Sequence, residues 1–148
     1  MSTIREYVIF KVAGEHYGID IGNVENIEKP FAITRVPYTD EYIIGVVNLR
    51  GNIIPVIDLR KRFGIEKKEF DEETRIIIVS VNELNIGMVV DSSSEVLQLD
   101  RENVDAAPSI SNNSTINFVK EIGKSDGRII MLIDLKKVLG VEEMVELE

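Results

Sequence analysis

The chain has no cysteine, no tryptophan and a single histidine, His16, in 148 residues. Without thiols it can form no disulfide and no thiolate metal site, and one imidazole is too few for a conventional zinc site. His16 precedes the apolar run that opens at Tyr17-Gly18 and is read as a turn residue. Aromatic residues make up only 6% of the sequence, and 17 Lys and Arg stand against 26 Asp and Glu, a formal charge of −9. That balance repels phosphate backbones and leaves little to stack on bases, so nucleic acid is an unsuitable partner. No window approaches the roughly 20 apolar residues of a membrane span, and the charged stretch MSTIREYVIFKV does not read as a secretory signal. These absences point to a cytoplasmic chain without membrane insertion, and the lack of thiols fits a reducing compartment.

Chemistry-bearing constellations are missing too. Gly123-Lys124-Ser125 mimics the end of a phosphate loop, but Phe118 stands where the leading glycine belongs. Ser92 to Ser94 have no G-x-S-x-G surroundings. The expectation is a protein that is not an enzyme and holds no metal or cofactor.

What the chain has is short apolar runs. With 44% hydrophobic residues it can bury a sizeable interior. The segments EYVIFKVAG, HYGIDIGNVENI, YIIGVVNL, NIIPVIDL, RIIIVSV, NIGMVVDS, EVLQLD and RIIMLIDL are parted by Gly, Asn, Asp, Ser and Pro. Many short strands with little helix between them predict an all-β barrel or sandwich. Within GVVNLRGNIIPVIDL, the turn Asn48-Leu49-Arg50-Gly51-Asn52 predicts a tight hairpin. Gly51 and Asn52 are expected in left-handed backbone, with Arg50 at the tip or just beside it. Pro55 cannot donate to a ladder, which predicts an edge or a bulge there.

The sequence also repeats itself. Residues 51–64 align without gaps on 127–140, with eight identities in fourteen pairs. Tyr17-Gly18-Ile19-Asp20-Ile21 resembles Ile86-Gly87-Met88-Val89-Val90. Two copies of one β unit are implied. Each closes with a strand, an N-capping Asp (Asp58, Asp134), a short helical turn carrying Lys or Arg, and a terminating Gly (Gly64, Gly140). The basic run Arg60-Lys61-Arg62 therefore sits at a helix end, where cations suit the dipole. A unit of about 65 residues buries little surface alone, so the copies should pack on each other and leave a groove between them. The expected division is a single domain over 1–148, with 15–64 the core of the first repeat, 76–140 that of the second, and 1–14 and 141–148 completing the fold. Ile65 to Glu73 is a charged connector and Asp105 to Thr115 a polar loop. Val141, Met144, Val145 and Leu147 have the spacing of a terminal helix that docks by one face.

In combination, YGIDIGNVENI, GVVNLRGNIIPVIDLRKRFG, GMVVDSSSEVLQL and GRIIMLIDLKKVLG resemble the CheW family of bacterial chemotaxis coupling proteins, nearly end to end. The resemblance implies two packed five-stranded SH3-like barrels with short helices. It implies a non-catalytic adaptor, monomeric by itself, that links the cytoplasmic tip of chemoreceptors to the regulatory domain of the histidine kinase CheA in membrane-associated arrays. Carried over by position, the receptor groove would use Val24, Ile27, Gly45, Asn48, Arg50, Gly87 and Val96. Gly45 and Gly87 would admit a helix close to the backbone, and Arg50 would form a charge-assisted hydrogen bond. The kinase contact is expected at the barrel ends. The family often reads V-x-E-I where this chain has Val24-Glu25-Asn26-Ile27, which shifts the acidic side chain by one place and, on a regular strand, to the other face. A CheV-type protein would add a receiver domain, which this sequence lacks; Met1 and the terminal helical pattern fit a whole coupling protein better than an excised kinase domain.

Overall fold

A computed structural model describes residues 3–30, 33–37, 42–107 and 118–140. The terminal helical pattern at 141–148 and most of the loop at 105–115 lie outside them. Among the described residues, eleven strands form two sheets. The first is built from β1 (Ile4–Val12), β2 (Glu15–Asp20), β8 (Ser92–Asp100), β9 (Val104–Ala106), β10 (Val119–Ser125) and β11 (Arg128–Ile133), in the spatial order β8-β1-β2-β11-β10-β9. The second holds β3 (Val24–Glu28), β4 (Ile43–Leu49), β5 (Asn52–Asp58), β6 (Arg75–Val81) and β7 (Leu84–Val90), in the order β3-β6-β7-β5-β4. Opposite edges of the first sheet, β8 and β9, are joined by a single 3-10 turn over Arg101–Asn103, so that sheet must curl until its edges meet. In the second, Thr34 follows the edge strand β3 and pairs with Val46 on the other edge strand. Both sheets thus close into small barrels.

The tight hairpins share one chemistry. The pairs Ala13-Gly14, Arg50-Gly51, Asn82-Glu83 and Asp126-Gly127 all have positive φ at both positions. Two-residue turns of that kind match the twist of antiparallel strands. The left-handed residues at the central hairpin are therefore Arg50 and Gly51 rather than Gly51 and Asn52, because Asn52 already pairs with Leu49 as the first residue of β5.

Strand pairing also corrects the reading of Pro55. Its strand is interior, between β7 and β4, not an edge. The Pro55 partner, Val46, sends its own N–H and C=O outward to Thr34, so Val46 and Pro55 form a pair without mutual hydrogen bonds. Pairing of β5 with β7 begins only at Val56. Pro55 sits where neither neighbour needs its missing N–H. His16 is likewise a strand residue, opposite Lys11 and Ile130, not a turn.

The repeat is visible in three dimensions, with an exchange. The pair Val56–Gly87 in one barrel matches Leu132–Gly18 in the other, both in parallel strands. Yet the β1–β2 hairpin, from the first repeat, pairs with β8 and β11 of the second, while the β6–β7 hairpin pairs with β3 and β5 of the first. Each barrel borrows its hairpin from the other repeat. The segment HYGIDIGNVENI consequently spans both barrels, broken by a 3-10 turn at Ile21–Asn23 that Asp20 caps through Gly22 N–H.

Burial follows strand alternation. Ile76, Ile78 and Val89 fill the interior of the second barrel, and Tyr7, Ile9, Leu99, Ile130 and Leu132 that of the first. The other faces of β1, β6 and β7 contribute Val8, Phe10, Ile77, Val79 and Met88, and β2 contributes Tyr17, to a larger core between the barrels. Strands buried on both faces need continuous apolar sequence, which is why YVIF and RIIIV show no polar alternation. Along this seam Phe10, Tyr17, Phe63 and Phe118 meet in succession, with centroids 5.8, 5.2 and 5.7 Å apart; the outer two pairs are stacked and the Tyr17–Phe63 pair is tilted.

Candidate functional site: the seam between the barrels

Val24 and Ile27 are three residues apart, and a regular strand would point them to opposite faces. In β3 they pair with Val79 and Ile77, both members of the seam core, because the register shifts between Val24 and Asn26. Glu25 is the extra, exposed residue of this bulge, and Asn26 pairs with Ile78 on the barrel-interior side. The unusual V-E-N-I order thus places its carboxylate on a bulge, in solvent.

Val96 occupies the matching place in the other barrel. It pairs with Val8, another seam residue, next to a register shift between Ile9 and Phe10. Ile27 and Val96 are 43% and 52% exposed. Each is a large apolar side chain on the edge strand of its own sheet, on the face toward the partner barrel.

The β4–β5 hairpin adds a third element. Ile57 lies in the seam core, and strand alternation carries the same face outward through half-buried Pro55 to Ile53, which is 64% exposed. Asn48 stands opposite Ile53, and its Oδ1 accepts a hydrogen bond from Gly51 N–H at 3.0 Å, stabilising the turn. Arg50 projects from the tip, exposed, and among the described residues no hydrogen bond or ion pair engages its guanidinium. Ile53 is not among the seven positions that the resemblance implies. Its signal was the repeat, in which Ile129 is the identical counterpart and is also 54% exposed.

Gly45 and Gly87 are placed differently from the expectation. Both are buried. A Cβ on Gly45 would lie 2.1 Å from the Thr34 carbonyl oxygen, and one on Gly87 would lie 2.9 Å from Ile76 Cγ2 and 3.4 Å from Val56 Cγ2. The close approach these glycines allow is internal to the second barrel. Val24 is half-buried against the seam core. Of the seven positions, Ile27, Asn48, Arg50 and Val96 face solvent.

Polar groups elsewhere serve the frame. Asp58 and Asp134 cap α1 (Leu59–Arg62) and α2 (Leu135–Leu139), accepting from Arg60 N–H and from Lys136 and Lys137 N–H. Gly140 ends α2 in left-handed backbone at φ 65°. Burial pushes the Asp58 carboxyl up despite those hydrogen bonds and the nearby Lys61 and Arg60. Arg62 does more than favour a dipole: it donates to the Val138 and Lys137 carbonyls at the end of α2 and stacks on Tyr42 and Phe118. Gly123-Lys124-Ser125 is the end of β10, a strand the sequence reading left out. Among the described residues no group of three or more His, Asp or Glu is arranged to hold a metal ion, and no helix is long and apolar enough to cross a membrane.

The sequence matches the profile of the CheW-like domain over residues 6–143. It is 37% identical over 142 residues to the chemotaxis protein CheW of Bacillus subtilis (strain 168), covering 96% of this chain and 91% of that one. It is 32% identical to the Helicobacter pylori (strain ATCC 700392 / 26695) chemotaxis protein CheW, over 92% of this chain and 82% of its relative. The crystal structure of the scaffolding protein TtCheW from Thermoanaerobacter tengcongensis superposes with a TM-score of 0.84 at 41% identity, covering 90% and 91% of the two chains. With the paired barrels and the repeat behind them, these likenesses place the chain in the CheW-like family.

Proposed function

We propose that this chain is a chemotaxis scaffold that couples chemoreceptors to the histidine kinase CheA by binding alone, in arrays at the membrane. The observation that carries the reading is the seam: two apolar residues, Ile27 and Val96, stand at equivalent register positions on the edge strands of the two barrels. They flank a shared core and leave a large part of their surface to solvent. A helical receptor tip laid against them gains apolar contact from both barrels at once. Arg50, exposed at the hairpin tip and without a partner among the described residues, supplies a charge-assisted hydrogen bond that fixes register, with Asn48 holding the turn and Ile53 extending the apolar face. Gly45 and Gly87 serve this surface indirectly, by letting the second barrel close tightly beneath it.

The kinase contact is assigned to the barrel ends, as the family resemblance implies. It is tested by calorimetric titration with the purified regulatory domain of a CheA kinase. Saturable one-to-one binding with Kd at or below the micromolar range, about −8 kcal/mol or better, supports the coupling role. No heat and no co-elution on a sizing column would remove it.

A further inference from the structure

The exchange of hairpins makes the chain cross between barrels twice, at residues 21–23 and at Asp91. The two crossings are held unequally. At the first, Asp20 caps a single turn and Asn23 Nδ2 donates to Ser80 O at 3.1 Å. At the second, Asp91 is the hub of several strands of chain. Its carboxylate takes a two-pronged ion pair from Arg60 of α1, Nε to Oδ1 at 2.8 Å and Nη2 to Oδ2 at 2.7 Å. The same carboxylate accepts the Ala13 N–H of the β1–β2 hairpin tip at 2.8 Å, and the Asp91 N–H donates to Lys11 O at 3.0 Å. Arg60 uses its remaining Nη1 on Glu66 O in the connector. Both side chains are largely buried, 17% and 15% exposed.

This pair has no counterpart at the other crossing. By the repeat, Lys136 stands where Arg60 does and Gly22 where Asp91 does, so neither the planar fork nor the carboxylate is duplicated. A fork that reaches a carboxylate through two parallel bonds fixes angle as well as distance, which a lysine in the same place cannot do. What it fixes is the point where β7 of one barrel passes into β8 of the other. Val96 lies five residues further along that strand.

We infer that Arg60 and Asp91 are positioning residues for partner binding: their ion pair locks α1 of one barrel to the hairpin tip of the other and thereby sets where β8 carries Val96 along the seam. This rests on the proposed coupling role for its partner, and on the geometry alone for the lock.

The absence of cysteine allows two unique spin labels, at Asn52→Cys on the second barrel and Gln98→Cys on β8, both exposed. Asp91→Asn keeps the size and an acceptor for Ala13 N–H but removes the charge. The expected result is a broadened or shifted label-to-label distance with the strand circular dichroism retained. In the unlabelled variant, affinity for a purified chemoreceptor cytoplasmic fragment should fall about fivefold to tenfold. Arg60→Lys, which keeps the charge without the fork, should show the same change in smaller degree, and it decides the matter if Asp91→Asn fails to fold. An unchanged distance distribution overturns the inference, as does a changed distribution with unchanged affinity. If the unmodified chain does not bind the receptor fragment, the partner reading is what fails, and the label distances alone then decide whether the pair sets the seam.

Discussion

Arg50 occupies left-handed backbone, φ 53°, at the first central position of its hairpin. A non-glycine residue there costs about 1 kcal/mol, yet the turn gains nothing from the side chain, which has no partner among the described residues. Arg50→Gly should therefore raise stability by up to about 1 kcal/mol and Arg50→Ala should change it by less than about 0.5 kcal/mol, measured by urea unfolding. Both should weaken receptor-dependent kinase control. A large stability loss in either would make Arg50 structural. Asp58 presents the opposite case, a carboxylate buried to hold a cap. Because burial raises its folded-state pKa above the unfolded value, its contribution is most favourable below the unfolded pKa and is lost as pH rises through the folded one. Asp58→Asn keeps a good capping oxygen without the buried charge, so at pH 7 it should be neutral or stabilising, whereas Asp58→Ala should cost about 1 kcal/mol. Asn destabilising as much as Ala would show that the charge itself matters. At this scale the capping Asp residues were legible because capping is local chemistry. The burial of Gly45 and Gly87 was not, since a glycine's sequence context does not say whether the backbone it admits is a partner's or its own.

Among the elements, the strands buried on both faces were the plainest in sequence, as continuous apolar runs. β10 was not: VKEIGKS buries Val119 and Gly123 and leaves its other residues half or fully exposed, so no apolar alternation marks it. The bulges in β3 and β8 were equally silent, although they decide which side chains face the seam. The short helices depend on each other. Arg62, near the end of α1, caps the carbonyls at the end of α2 and lies 4.3 Å from the centroid of the Tyr42 ring. Replacing it with methionine keeps much of the apolar stem but removes the charge and both hydrogen bonds. Arg62→Met should cost about 1–3 kcal/mol, read as a lowered unfolding midpoint with an unchanged denaturant slope. No shift in the midpoint would mean that the stacked rings alone join the helices.

At the level of the whole molecule, two copies of one unit were readable from residue identities, because equivalent strands keep equivalent residues. The exchange of hairpins between them was not, since the choice between a strand's own repeat and the other is made by long-range pairing after the local pattern is satisfied. Its consequence is that neither repeat contains a complete barrel. Fragments 1–72 and 73–148, cut within the charged connector, should each lack stable strand structure alone and regain the intact chain's circular dichroism when mixed. Independent folding of either fragment would contradict the exchange. A seam built from both repeats also explains how one small chain can present a single surface framed by two barrels, each reached by strands of the other's repeat.

The most direct test of the coupling role is autophosphorylation of a CheA kinase with chemoreceptor cytoplasmic fragments, with and without this chain. The account predicts that receptor fragments change the kinase rate only when the chain is present, and that Ile27→Asp with Val96→Asp, both at exposed positions, abolishes the effect while leaving the fold intact. Receptor control of equal size without the chain, or undiminished by the double variant, would contradict it.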